Sequence, residues 1–513
     1  MNRIDMITKV FIFFVILTSS IFSSPLSEVE QDQIIFKGKQ LIYNARLQEA
    51  LNYFDSLRVR YPNLPMTHFY KGYIKLLIYS QDMKNDSLLA SMKNDFNRTI
   101  KAIEMIKGHR ENKELQYYLG LSFGAIGAYY AVDKNYLKGY WFGRKAKNYL
   151  VKAKELDSTY YDVYLGLGIY HYYVGLMPSV LKIFANILGF SGSKEKGLYE
   201  IALCAQNGKH FRVEAKFLHA LLTYFMQNEM TNSIKTIEEL GMKFPENPVV
   251  PLLLGYHHRR NGRPGISLKY YVQISDSVIK ELPQIYQMKY YNMVVSYFLL
   301  NQYDTSIKIL DNHLEPYRFQ MTEYYQSALN YYKGIIYLIR GKSEEALTLL
   351  QKIPDKKHTS YWYYSAQPFV KYPINETFRN IMRYRNNVFC NDYQNESTLR
   401  KQIEEYYSSH PSDFWYMLYL DTRAQAEYSH GNYTNAEKQF LQLIKEMEEY
   451  SKAEYFQKWV YVHYARVLAK LNKYDEAEQF LEKAKSIDDD YIKFICEREK
   501  FILNKAKHGE NPS

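Results

Sequence analysis

Apolar and small residues recur along most of this chain at the spacing of one helix face, and the faces come in pairs. From Ile34 they run Ile34, Gly38, Leu41, Ala50, Phe54 and Leu57, with Lys37 among them and Pro62 closing the stretch. A stripe repeating every three and four residues is the side of a helix that must be covered, so this order predicts two amphipathic helices joined by a turn. Gly38 and Ala50 are small where the two helices cross, because close-packed interfaces tolerate neither voids nor overlap. Phe54 and Leu57 fill the space against the next pair, and Pro62 ends the second helix. Gly38 and Gly72 lie 34 residues apart, as do Ser233 and Ser267, and a period near 34 is that of a two-helix repeat. No long alternation of period two competes, so the expected fold is all-α.

In repeat positions the first stretch places these residues at 4, 7, 8, 11, 20, 24, 27 and 32, and there it resembles the tetratricopeptide (TPR) family. The pattern returns at Gly72, at Gly120 with Phe123, at Ala146, Leu150 and Ala153, and at Gly168. Further units carry Tyr224, Ser233 and Pro245, then Gly255, Ser267, Tyr271 and Ile274. The closest matches start near Gln31, Ser327 and Lys458, the last two carrying Gly334, Tyr337, Ala346, Leu350 and Ile353, and Ala465, Leu468, Ala477, Leu481 and Ala484. Ala424, Ala436, Phe440 and Leu443 fit as well. The block from Tyr161 through Gly166, Gly168 and Tyr172 to Gly197, Glu214 and Ala215 is similar to a TPR family of exported bacterial proteins, and more distantly to the tetratricopeptide repeat protein 39 and inclusion-body clearance family. That likeness covers about residues 110–270. It implies a TPR-like α-solenoid of antiparallel helix pairs in a right-handed superhelix, and it carries over no catalytic residue.

The N-terminus modifies this picture at one end. Arg3 and Lys9 precede the unbroken apolar run Val10–Leu17, followed by Thr18, Ser19 and Ser20. The run is shorter than the roughly 20 residues a membrane span needs, so residues 1–20 read as a secretory signal peptide. Cleavage after Ser20 is expected, since Pro25 would follow a cut after Ser24; an uncleaved anchor is the alternative. The expected organisation is then a repeat array over 21–355, an irregular helical interruption over 356–400, and further repeats over 401–513. The chain is expected to be exported, in the periplasm or at the outer membrane.

Composition adds a partner class and removes others. The net charge is +11, or +10 once the leader is gone. In an exported protein nucleic acid is an improbable partner for that field, whereas an anionic envelope polymer or an acidic protein surface is suitable. Fifty-three tyrosines, many in pairs such as Tyr324–Tyr325 and Tyr331–Tyr332, suit a ring between helices with its hydroxyl at a wet groove. Cys204, Cys390 and Cys496 have no metal or disulfide-framework spacing.

Two departures from the repeat carry the local hypotheses. Val174–Phe190 is apolar around most of a helix, with Lys182 its single charge, and reads as a buried helix or, alternatively, as a membrane contact through 174–190. Around 356–399, Tyr361 and Trp362 precede Pro368 and Pro373, then Arg379, Arg383 and Arg385, with Asn386–Asn387 beyond. That is either a distorted helical pair or the edge of a groove lined by anchor residues. Arg259 and Arg260 end the first helix of their pair, so one of them can face the groove, while Arg263 reads as a solvated turn. The candidate binding residues are therefore Arg259, Arg260, Tyr361, Trp362, Arg379 and Arg383.

Catalytic motifs fail. Gly341–Lys342–Ser343 lacks the upstream glycine of a phosphate loop, its place being taken by Ile336, and Gly166–Gly168 lacks the third glycine of a dinucleotide fingerprint. No cofactor and no metal are expected. The expected function is a non-enzymatic protein-interaction scaffold or adaptor of the cell envelope, binding a protein or peptide on the concave face of the array. The alternative is a glycan- or polymer-capturing accessory of outer-membrane uptake or assembly, using Trp141, Trp362, Trp415 and Trp459 with the tyrosines.

Overall fold

The computed structural model describes residues 27–81, 85–133, 135–176, 191–227, 230–279, 282–447, 454–486 and 489–508. The expected leader lies outside them, as does most of the apolar stretch, of which only Val174–Leu176 is described. Among the described residues the chain is helical throughout, without a strand. It divides into an N-terminal unit, running to Val250 and including Ser275–Ile285, and a C-terminal unit of Pro251–Ile274 and the residues from Tyr286.

One turn recurs in both units. Ala45, Gly262, Asn301, Gly341, Asn391, Gly431 and Asn472 all have positive φ, between 53° and 80°. Each sits in the middle of a three-residue link between paired helices. In every case the next N–H reaches back to the carbonyl five residues earlier at 2.9 Å, as Arg46 does to Leu41 and Lys342 to Tyr337. This is a Schellman cap, which satisfies the last carbonyls of the first helix and reverses the chain. Glycine and asparagine suit its left-handed residue. Gly341, the middle of the failed phosphate-loop motif, is one of these turns.

The turns measure the true repeat. In the C-terminal unit they are 39, 40, 50, 40 and 41 residues apart, longer than the 34 read from the sequence. The longest gap holds one extra helix, Ser360–Lys371, with Pro368 in its last turn. It packs on Glu323–Ile339, Ser343–Leu350 and Glu454–Lys470 instead of pairing with a neighbour. After it the repeat resumes: Phe378–Phe389 and Tyr393–Ser409 form an ordinary hairpin around Asn391. The expected irregular stretch is thus a single inserted helix followed by a regular pair. Asn386 and Asn387 serve that regularity. Asn386 Nδ2 donates to the Phe298 carbonyl and to Asn301 Oδ1, both at 2.9 Å, and Asn301 Nδ2 donates to Asn387 Oδ1 at 2.9 Å. The amides tie this hairpin to a turn more than eighty residues earlier in the chain.

Inside each pair a small residue admits a large one. A Cβ placed on Gly38 would stand 2.2 Å from the Phe54 ring, on Gly255 2.3 Å from Tyr271, and on Gly334 2.8 Å from Leu350. Each large partner is sixteen residues further on and buried, as are Ala424 with Phe440 and Ala465 with Leu481 at the same spacing. Gly334 therefore meets Leu350 and the Ala346 carbonyl, 3.4 Å from its notional Cβ. In the N-terminal unit the helices are longer. Lys113–Val132 and Tyr136–Leu156 approach so closely that a Cβ on Gly127 would lie 3.1 Å from the Gly143 nitrogen.

The N-terminal unit also closes on itself through buried charge. Lys39 Nζ lies 3.2 Å from Glu214 Oε1, with both side chains almost wholly buried. The Tyr43 hydroxyl donates to the same carboxylate, and Lys39 donates to the His210 carbonyl. Desolvation pulls Lys39 down and pushes Glu214 up, and their attraction opposes both shifts. Such a tie fixes which elements meet more than it adds stability.

Two stability predictions follow from the turn and the crossing. Ala346→Leu, in a fully buried site, should cost about 1–3 kcal/mol by overpacking; an unchanged urea midpoint would count against this crossing. Ala45 adopts φ 59° without being glycine or asparagine. Ala45→Gly should therefore stabilise the chain by about 1 kcal/mol, seen as a higher urea midpoint with an unchanged m-value, and a lower midpoint would contradict the turn.

Candidate binding surface

Aromatic rings from five helices of the C-terminal unit join into one continuous seam. Tyr291 on Pro283–Leu299 meets Tyr325 at 5.3 Å between centroids, and Tyr325 meets Tyr324 at 5.7 Å. Tyr324, on Glu323–Ile339, contacts Trp362 of the inserted helix at 5.6 Å. Trp362 meets Tyr361 at 4.8 Å, Tyr361 meets Tyr491 of Asp490–Lys507 at 4.8 Å, and Tyr491 meets Trp459 of Glu454–Lys470 at 6.0 Å. Most pairs are edge-on or tilted, the arrangement ring quadrupoles favour. The inserted helix is what makes the seam continuous, since it supplies both Tyr361 and Trp362.

The seam is accessible yet enclosed. Tyr491 is 41% exposed, but desolvation still raises its hydroxyl above the usual range, with Tyr256, Arg260, Arg466 and Arg259 as charged or titratable neighbours. Tyr256 and Tyr491 are thus brought together from opposite ends of the unit. Burial pushes the Tyr291, Tyr324 and Tyr361 hydroxyls well up, and those of Tyr325 and Tyr332 to about 12. At neutral pH these phenols are uncharged and can both donate and accept hydrogen bonds.

Fixed positive charge stands beside them. Arg259 Nη2 donates to Asn292 Oδ1 at 3.0 Å, and the guanidinium lies over the Tyr256 ring at 5.3 Å. Tyr271, Tyr291 and Tyr332 complete its surroundings. Among the described residues no carboxylate pairs with Arg259, Arg260 or Arg385, whereas nearby Arg466 is held by Glu499 at 2.9 Å and His463 by Asp421 at 3.0 Å. Arg385 lies against the Tyr331 hydroxyl, lowering a titration that burial raises.

The sequence candidates divide on this geometry. Arg259, Arg260 and Tyr361 belong to the seam. Trp362 is 3% exposed and packs beneath it, with Tyr331 and Tyr332 at 5.3 and 5.8 Å as well, so it holds the surface without forming it. Arg379 and Arg383 are exposed on Phe378–Phe389 and act on Tyr303 instead. The arginine of that helix that reaches the seam is Arg385. Tyr256 and Tyr491 escaped the sequence reading; the signal available was that each lies in a helix at one end of the array, where no further repeat covers it. Of the other tryptophans proposed for glycans, Trp415 is fully buried and Trp141 is exposed in the N-terminal unit. Cys204 and Cys496 are buried free thiols and Cys390 a half-buried one. Among the described residues no group of three His, Cys, Asp or Glu side chains could hold a metal ion, and no helix is long and apolar enough to cross a membrane.

Residues 152–358 match the model of the family described as Iml2/Tetratricopeptide repeat protein 39. No curated protein sequence matches the chain. Among solved structures it is similar to yeast Tom70, at 10% identity over 92% of this chain and 96% of that one with a TM-score of 0.32. It is also similar to the TPR domain of P58(IPK), at 14% identity over 86% and 99% with a TM-score of 0.21. At those scores neither superposition carries weight beside the helix pairing and the family match. On that pairing and that match, the chain is a TPR-like, all-α protein whose residues 152–358 are similar to the Iml2/Tetratricopeptide repeat protein 39 family.

Proposed function

We propose that the chain is a non-enzymatic scaffold of the cell envelope that holds an extended protein segment along the aromatic seam of its C-terminal unit. The observation that carries this reading is the pairing of enclosed, uncharged phenols with guanidinium groups that no carboxylate neutralises. Tyrosine, tryptophan and arginine are the residues that supply most of the energy at binding interfaces. The rings give apolar contact, their hydroxyls satisfy the polar backbone of an extended segment, and Arg259, Arg260 and Arg385 draw an acidic group to the seam. A charge left uncompensated inside a desolvated surface costs energy until a partner arrives, so the site favours an anionic side chain over a neutral one. The envelope location rests on the leader-like residues 1–20.

Pull-down from native envelope extract, with partners quantified by mass spectrometry, tests the reading. Arg259→Gln with Arg260→Gln should reduce the retained protein about tenfold and flatten the salt dependence of what remains. Tyr491→Ala should weaken retention without changing that dependence. Retention that ignores all three changes would remove the seam as the binding surface. Retention of envelope polysaccharide with no protein favours the glycan-capturing alternative. For the location, N-terminal sequencing of the exported chain should begin at Ile21; a sequence starting at Met1 would contradict the cleaved leader.

A further inference from the structure

A second surface lies in the N-terminal unit, at the start of the helix Tyr136–Leu156. Tyr136, Leu137 and Trp141 are 69%, 79% and 51% exposed, a concentration of large apolar side chains that soluble surfaces rarely leave uncovered. On a helix these three and Arg144 fall within one arc, and Lys145 and Lys138 border it on the same side. The helix is basic as a whole: Lys138, Arg144, Lys145, Lys147, Lys152 and Lys154 against Glu155 alone. Asp133 in the preceding turn is the one described acid at its tip.

The cations are held at the level of the rings. Lys145 Nζ stands 4.0 Å from the Trp141 centroid and 4.9 Å from Phe123, Lys138 is 5.2 Å from Tyr130, and Lys93 of the neighbouring hairpin is 4.7 Å from Tyr130 and donates to its hydroxyl at 2.9 Å. No carboxylate pairs with Lys93, Lys138, Arg144 or Lys145 among the described residues. Tryptophan and tyrosine rings flanked by ammonium groups match the two layers of a bilayer interface, with the rings among glycerol and upper acyl groups and the cations at the phosphates. An acidic protein partner would instead be met by a groove, and the close-packed glycines of this hairpin leave none between its helices.

We propose that the face formed by Tyr136, Leu137, Lys138, Trp141, Arg144 and Lys145 docks the protein onto an anionic lipid surface. The docking is peripheral: the apolar side chains of two helical turns enter the interface while the rest of the helix stays on the protein. Neither the seam nor its ligand is involved, so this proposal stands or falls separately from the one above.

Flotation of the full mature chain with phosphatidylcholine–phosphatidylglycerol vesicles, against phosphatidylcholine alone, is the direct test. The chain should float with the anionic vesicles and stay below with the neutral ones, and added salt should release it. Trp141 is the most exposed of the four tryptophans, so its emission should shift to the blue on the vesicles and the shift should vanish in Trp141→Phe. Leu137→Asp should reduce partitioning by about tenfold or more, while Val59→Asp, at a site 76% exposed on another helix, should leave it unchanged. Helicity by circular dichroism shows that each variant is folded. Flotation that survives Leu137→Asp, equal binding to neutral vesicles, or an emission shift with soluble polyphosphate but none with vesicles would each overturn the proposal.

Discussion

The distance between the two helices of each pair is set by one small residue meeting one large one. Where Gly38, Gly255 or Gly334 faces Phe54, Tyr271 or Leu350, a single added methyl would collide with a buried side chain that has nowhere to go. Close approach lets the backbones pack almost directly and turns the second helix's ring into the filling of the pair. The Schellman turn then fixes the reversal, with the same back-bond at 2.9 Å in seven places. Everything else in the C-terminal unit follows from repeating that geometry, because equal crossings and equal turns point the same face of every first helix toward the same space.

That shared direction is what collects the seam. Tyr291, Tyr324, Tyr325, Trp459 and Tyr491 lie on helices scattered over two hundred residues of chain, and no local pattern connects them. The inserted helix Ser360–Lys371 departs from the repeat and bridges the gap, with Trp362 buried beneath and Tyr361 on top. An interruption in a regular array thus supplies the residue that makes the surface continuous. The cost is a charged interior face: Arg259 rests on rings and on one amide, with no acid to balance it.

How much of this was legible beforehand depends on range. The crossings were readable, because Gly38, Ala50 and Phe54 or Gly334, Ala346 and Leu350 follow from contacts sixteen residues apart or fewer. The period was read as 34 and is nearer 40 in the C-terminal unit, since matching small residues can recur while helices between them lengthen. Asn386–Asn387 looked like a break in the pattern because their function is long-range: they bond to Phe298 and Asn301. The direction of Arg385, against that of Arg379 and Arg383, depends on the helix's rotation in its hairpin, which a run of three arginines does not reveal. Tyr256 and Tyr491 could be paired only after the array had been built, since 235 residues separate them.

The central claim is that the C-terminal unit brings its two ends to one enclosed surface. Photo-crosslinking of the purified full chain tests it without any partner, with p-benzoyl-phenylalanine incorporated at position 491 and crosslinked peptides identified by mass spectrometry. The account predicts crosslinks to the peptide carrying Tyr256, Arg259 and Arg260, alongside those to Tyr361 and Trp459. Crosslinks confined to the helices Ser360–Lys371 and Glu454–Lys470, with none to Val249–Arg260, would contradict it.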